Sequence, residues 1–286
     1  MGANPEIIKN LHADETIFIK ESKRLGQKII DKALSIIHKN KDEKDFSFYS
    51  VKDDPGSIVE VPSMIHIVRG IEKLRGKDNT IMLLGRDRYN LSKAKYILKE
   101  NGIPCGGSEL ELQALRLLTT RPEVITRYDI EILINKIFPS ERKKGDGGLW
   151  VRGAKTKIEE MVKEGFSPRP VETLKEIGAT EFLLEALDKS KVGILNLSAY
   201  QIKYYKSVLN KWDGNLNVVS AMPHHGSKGK EADIVIVLTD ITQTIKMAEQ
   251  VDSIESERRV WYVAMTRAKK GIILVGKQGY YKTGIV

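Results

Sequence analysis

Three short runs constrain this chain more than any other feature: IMLL at 81–84, ADIVIVL at 232–238 and GIILV at 271–275. They are nearly unbroken in apolar, largely β-branched residues. A strand with one wet face alternates, whereas a continuous run needs cover on both faces. LNVVSAM at 216–222 has the same character. Helical patterning lies between the runs: QKIIDKALSII, VPSMIHIVRGIEKLRG and NLSKAKYILKENG place apolar residues at helical spacing. Strand, loop and helix in that order predict an α/β fold with a parallel sheet between helices. Its ligands belong at the carboxyl ends of the strands. The early ETIFIKE and FSFYSVKD stretches, the first with a strand over Thr16–Ile19, read as further strands, with Ser63 as a cap of the second helix.

From about Ser108 to Asn210 strand signals disappear. ELQALRLL, YDIEILINKIF, KTKIEEMVKEG, VETLKEIG, TEFLLEALDK and SAYQIKYYKSVLNKW carry helical periodicity, separated by prolines and by the glycines of KKGDGGLWVRG. The reading is a helical block set into an α/β domain. The 286 residues suffice for one large core or two domains. One cysteine, Cys105, excludes a disulfide framework and a cysteine-rich zinc site, and fits a reducing cytoplasmic location. No run approaches the roughly 18 apolar residues of a membrane span. The net charge of +9 favours a polyanionic partner without defining the fold.

Three stretches carry candidate chemistry. In ESERRVWYVAMTRAKK a helix places Arg267 near its end, with Val260, Val263, Ala264 and Ala268 towards the core. A guanidinium there suits the helix dipole and can clamp phosphate oxygens; a solvated basic helix is the plainer alternative. In MPHHGSKGKEAD, Gly226 and Gly229 bracket Ser227 and Lys228 just before a strand, compatible with a phosphate-binding loop or with a tight turn. His224 and His225 make only a fragment of a metal site, and no metal site is expected. In LLGRDRYN, Arg86 stands two residues beyond the apolar run, with Arg88 alternating. No G-x-x-x-x-G-K-[ST] loop occurs in the sequence. Arginines around a nucleotide without that loop would be half of a site.

Taken together these motifs resemble the second motor domain of UvrD/Rep-like superfamily 1 DNA helicases. Glu257, Arg258, Arg259, Tyr262, Val263, Ala264, Thr266, Arg267 and Ala268 match motif VI, E-R-R-x-x-Y-V-A-x-T-R-A. His225, Lys228, Gly229 and Glu231 match motif V, and Arg86, Leu98, Ile103 and Pro104 match motif IV with its helix. GANPEIIKNL resembles the stretch after motif III, and Ser22 and Arg24 match an N/S-Y-R signature in which Lys23 replaces tyrosine.

The resemblance implies a RecA-like, P-loop NTPase-type domain without its own P-loop, divided as 1–119, a helical insertion over 120–198 resembling a small 2B subdomain, and 199–286. It implies an ATP-dependent DNA helicase or translocase, moving 3′ to 5′ in the family's usual direction, acting in repair or replication as a monomer. ATP and Mg2+ would be held mainly by an N-terminal motor domain upstream, the piece alone being nearly inactive. Arg267 is implied as arginine finger and Arg86 as a second γ-phosphate contact. Glu231 is implied on the ribose and Gly229 beside it. Tyr89 would replace the adenine-stacking aromatic that Gly85 lacks. Ser22, Arg24, His225, Ser227 and Lys228 are implied on single-stranded DNA. Apart from the resemblance, the basic stretch ERKKGDGGLWVRGAKTK offers Lys143, Lys144 and Arg152 as backbone contacts; of the two alternatives for Trp150, packing under a loop is favoured over stacking on a base or wedging at a single/double-strand junction. A nucleic-acid-binding or protein-interaction module without ATPase activity is the competing reading.

Overall fold

The sheet forms where the apolar runs require it. The structure is a computed structural model and describes residues 19–41, 46–75, 79–105, 117, 123–136, 150–165, 167–188, 203–204, 207–208, 219–249, 254–276 and 281–286. In chain order, β1 (Glu21–Ser22) leads to α1 (Gln27–Ile37), β2 (Tyr49–Ser50) and β3 (Ser57–Val61). Next come α2 (Met64–Arg75), β4 (Ile81–Gly85) and α3 (Arg88–Glu100). The helical region holds β5 (Val124–Ile125), α4 (Arg127–Lys136), α5 (Ala154–Lys163), β6 (Arg169–Pro170), α6 (Thr173–Ile177) and α7 (Glu181–Asp188). The chain then returns through β7 (Ser220–Pro223), a 3₁₀ turn (His224–Ser227), β8 (Ala232–Leu238), β9 (Asp240–Ile241), α8 (Gln243–Ala248), α9 (Ile254–Met265), β10 (Ala268–Val275) and β11 (Tyr281–Lys282).

The central sheet has the order β3-β10-β8-β4-β7, and every pairing in it is parallel. Successive residues feed opposite cores. Met82, Leu84, Val235, Val237, Ile272 and Leu274 pack with α1 and α9, through Ile29, Ile30, Ala33, Trp261 and Ala264. Ile81, Leu83, Ile236, Leu238, Ile273 and Val275 pack with α2 and α3, through Met64, Ile67, Ile71, Leu91, Ala94 and Leu98. Two-sided burial is thus the physical reason for the unbroken apolar runs. Asp87 caps α3 by accepting from the Asn90 amide, and Gly102, at φ 69°, ends that helix in the left-handed region.

Several boundaries differ from the sequence reading. Residues 16–18 of the first expected strand and the GANPEIIKNL stretch lie outside the described residues, as do ELQALRLL (except Leu117) and most of SAYQIKYYKSVLNKW. The helix expected through TRAKK ends at Met265, and Ala268 already belongs to β10. Trp261, Ala264 and Met265 fill the core face of α9, while Val260 and Val263 are only half-buried. Ser63 does not cap α2 through a backbone amide; its hydroxyl lies 3.0 Å from the His66 ring.

Candidate functional site

The expected arginine pair is split between opposite edges of the sheet. Arg86 follows the last residue of β4, whereas Arg267 precedes the first residue of β10. All the intervening strands are parallel, and β8, seven residues long, runs the whole way between these levels. At about 3.3 Å per residue that is roughly 20 Å.

Arg24, not Arg86, stands with Arg267. The Arg24 guanidinium donates to the carbonyl of Thr266 at 3.0 Å and lies 3.8 Å from Glu231. Arg267 donates to the Val263 carbonyl at 2.9 Å, the Thr266 hydroxyl at 2.9 Å and the Lys230 carbonyl at 3.3 Å. Its side chain therefore folds back onto the last turn of α9, where a cation meets open carbonyls. Lys269 contacts Glu231 at 2.5 Å, and Lys52 donates to the carbonyls of Arg24 and Lys269. Burial, then the nearby charge of Arg24, lower the Arg267 pKa from its ordinary value. The Lys269 hydrogen bond holds the exposed Glu231 carboxyl below its ordinary range, helped by Arg24 and Arg267. Three cations, Arg24, Arg267 and Lys269, thus gather around one carboxylate at the amino edge, an arrangement in which a further anion relieves like-charge repulsion.

The crossover from β7 to β8 joins the two edges. Its exposed residues include His225, Lys228, Gly229, Lys230 and Glu231. Gly229 has φ 79° with open space around a would-be Cβ, so backbone conformation selects glycine there. Ser227 is a correction: it is buried, and its hydroxyl donates to the His224 carbonyl at 2.6 Å, leaving no hydroxyl turned to a nucleic acid. His224 is wholly buried with its ring edge-on to Trp261, centroids 4.6 Å apart. Burial, with Arg86 and His225 adding to it, lowers its pKa to about 3.

At the carboxyl edge, Arg86 donates two parallel hydrogen bonds to Glu257, of 2.7 and 2.6 Å. The side chains are 21% and 9% exposed, so this is a mostly buried, bidentate pair tying β4 to α9. That pairing corrects Arg86 as a partner of Arg267: its guanidinium is committed to a carboxylate at the other edge. Tyr89 is likewise separated from Glu231, since it opens α3 beside Arg86 with its ring 58% exposed. Ser22 accepts from the Leu25 amide and shapes the turn that presents Arg24. Trp150 is 5% exposed and bridges to Ala179, so the packed alternative holds and no ring face is left for a base. Arg152 is exposed, and Lys143 and Lys144 lie outside the described residues. Among the described residues no group of three His, Cys, Asp or Glu could hold a metal ion, and no helix is long and apolar enough to cross a membrane.

Residues 188–278 match the family described as the UvrD-like helicase C-terminal domain. The matched span includes the crossover, α9 and β10, and with them Lys228, Glu231 and Arg267; Arg24 and Arg86 precede it. The chain is also similar to the solved C-terminal domain of a possible DNA helicase from Lactobacillus plantarum WCFS1, at 12% identity over 92% of each chain and a TM-score of 0.39. No curated protein matches it.

Several residues of the sheet's two edges escaped the sequence reading. Lys52 lies far from the motifs in sequence and left no signal. Lys269 belongs to the basic TRAKK cluster, whose second lysine pairs instead with Asp233, Lys270 Nζ standing 3.2 Å from it. Glu257 was visible as a motif position without a role. Arg258 donates to the Lys39 carbonyl at 2.8 Å, so the first of the two adjacent arginines anchors α9 to the end of α1.

Proposed function

We propose that this chain is the second motor part of an ATP-dependent DNA helicase or translocase. Its amino-edge cluster would close over ATP and Mg2+ held mainly by a preceding motor domain. The observation that carries the reading is the convergence of Arg24, Glu231, Arg267 and Lys269 at one exposed edge of a UvrD-like domain. Phosphoryl transfer spreads charge over the transferring oxygens, and fixed cations stabilise it. Arg267 acts as the finger, exchanging its bonds to Val263 and Lys230 for phosphate oxygens on closure. Arg24 is the second cation, in the role the resemblance gave to Arg86. Glu231 lies 3.8 Å from the Arg24 guanidinium, is paired with Lys269, and would be available to a ribose hydroxyl. When bound, ATP would supply the phosphoryl group and Mg2+ would neutralise its oxygens; the chain's own residues would hold and orient.

His225 and Lys228, on the crossover, would meet single-stranded DNA. The crossover ends at Lys230 and Glu231, so its movement couples the strand to the nucleotide edge. Residues 1–119 and 199–286 would form the motor domain around the 120–198 insertion, with 3′ to 5′ movement following the family's habit. The test is ATP turnover of the full-length protein, with and without single-stranded DNA. Arg267→Ala is expected to lower stimulated turnover by about a thousandfold; full turnover in that variant contradicts the assignment.

A further inference from the structure

The end of α1, α8, the start of α9 and residues 284–285 enclose a small cavity of about 110 Å³. Ile254 and Ile285 form part of its wall, and Lys39, Lys246, Arg258 and Glu249 supply its charge. The carboxylate is already satisfied. Buried Glu249 accepts from the Thr283 hydroxyl, from the Gly284 amide at 3.1 Å and from Lys246 Nζ at 3.4 Å. Arg258 uses one Nη on the Lys39 carbonyl at 2.8 Å and the Asn40 side chain at 3.4 Å. Among the described residues neither Lys39 nor Arg258 meets a carboxylate. The neighbouring acids are engaged elsewhere. Glu255 accepts from the Lys41 amide at 3.0 Å and pairs with Arg259, and Glu257 takes both hydrogen bonds of Arg86.

Folding alone does not call for this gathering. Glu249 needs no second or third cation, and cations from three separate elements repel one another at close range. Three cations against one carboxylate leave an excess of two positive charges around the cavity. One doubly charged anion matches that excess. A tetrahedral oxyanion also suits the donors, since a guanidinium fork and ammonium groups grip its oxygens from several sides.

We propose that this cavity binds one small doubly charged oxyanion, of the phosphate and sulfate class, between Lys39, Lys246 and Arg258. The anion links the end of α1 to α8 and α9. The site lies at the opposite end of α9 from Arg267, and that helix has 12 residues, or about 18 Å. It is therefore distinct from the amino-edge cluster and does not depend on the proposed function.

The test titrates inorganic phosphate, and in parallel sulfate, into the isotope-labelled chain in a chloride buffer and follows backbone amides by NMR. The amides of Ile254, Gly284 and Ile285 report the cavity; those of Lys230 and Arg267 report the amino edge. Saturable shifts are expected at the first set. Lys39→Gln is expected to weaken that binding about tenfold, in line with one hydrogen bond to a charged group. Lys39→Arg keeps it. The Lys39 side chain is exposed, so both variants retain the fold. Arg258→Lys loses the fork and also weakens binding. Dimethyl phosphate, singly charged like the backbone of a nucleic acid, binds more weakly than phosphate or sulfate. Cavity shifts that survive both Lys39→Gln and Arg258→Lys, or equal binding of dimethyl phosphate, overturn the site. Shifts at the amino edge alone overturn it and leave the proposed function standing, and no shift at either place overturns it outright.

Discussion

Two arginines of this chain meet glutamates in different ways. Arg86 and Glu257 form a bidentate pair that is mostly buried, 21% and 9% exposed. Arg24 and Glu231 are 40% and 43% exposed, 3.8 Å apart, and share their edge with Arg267 and Lys269. The first pair satisfies itself and binds β4 to α9. The second group has more cations than it can neutralise and faces outwards. Position in the sheet, more than residue type, decides which arginine is available to a ligand.

The largest stability effect should come from breaking the buried pair. Arg86→Ala leaves Glu257 without its partner and is expected to cost about 3 kcal/mol in urea unfolding. Arg86→Met/Glu257→Leu should recover most of that loss, because no lone charge remains; a double variant as unstable as the single one breaks the contrast between the edges.

Next to that pair, His224 should make stability depend on pH. Its folded pKa, about 3, lies below its ordinary 6.5, so between those values the unfolded chain binds the extra proton. Stability is therefore lost as pH falls through that window, with a slope of about 1 kcal/mol per pH unit. His224→Phe keeps a ring against Trp261 and should remove this dependence, read as unfolding midpoints at a series of pH values.

The exposed cluster should matter least to folding. Glu231→Gln is expected to leave the unfolding midpoint nearly unchanged, since exposed pairs are weakly stabilising. The Glu231 carboxyl is held below its ordinary range by Lys269, so its pairing persists through that range and is lost only at lower pH. A carboxyl-resolved NMR titration checks this, and an ordinary titration in the intact chain would show the cluster to be looser than described.

The sheet was legible because its runs are a direct consequence of two-sided burial: Ile81–Leu84, Ala232–Leu238 and Gly271–Val275 all became central strands. The site was legible in part. Arg267 and Glu231 lie near one another in the fold, and the motif spacing around them signalled it. Arg86 misled because a guanidinium beyond an apolar strand looks alike whether it meets a ligand or a buried carboxylate. Its partner, Glu257, is 171 residues away. Arg24 was given a role on DNA for the same reason: its proximity to Thr266, across 242 residues, is a product of topology that no local pattern records. Ser227 was misjudged on burial, which neighbouring glycines do not reveal.

The division between the edges is tested most directly by ATP turnover of the full-length protein in two variants measured side by side. Arg24→Ala should lower turnover at least a hundredfold, as removal of a fixed cation at the transferring phosphate does. Arg86→Met/Glu257→Leu should stay within about threefold of the unaltered protein, since charge removed together from a self-satisfied pair leaves the phosphate edge as it was. Full turnover in Arg24→Ala together with collapse in the double variant would place the nucleotide at the other edge of the sheet and contradict the account.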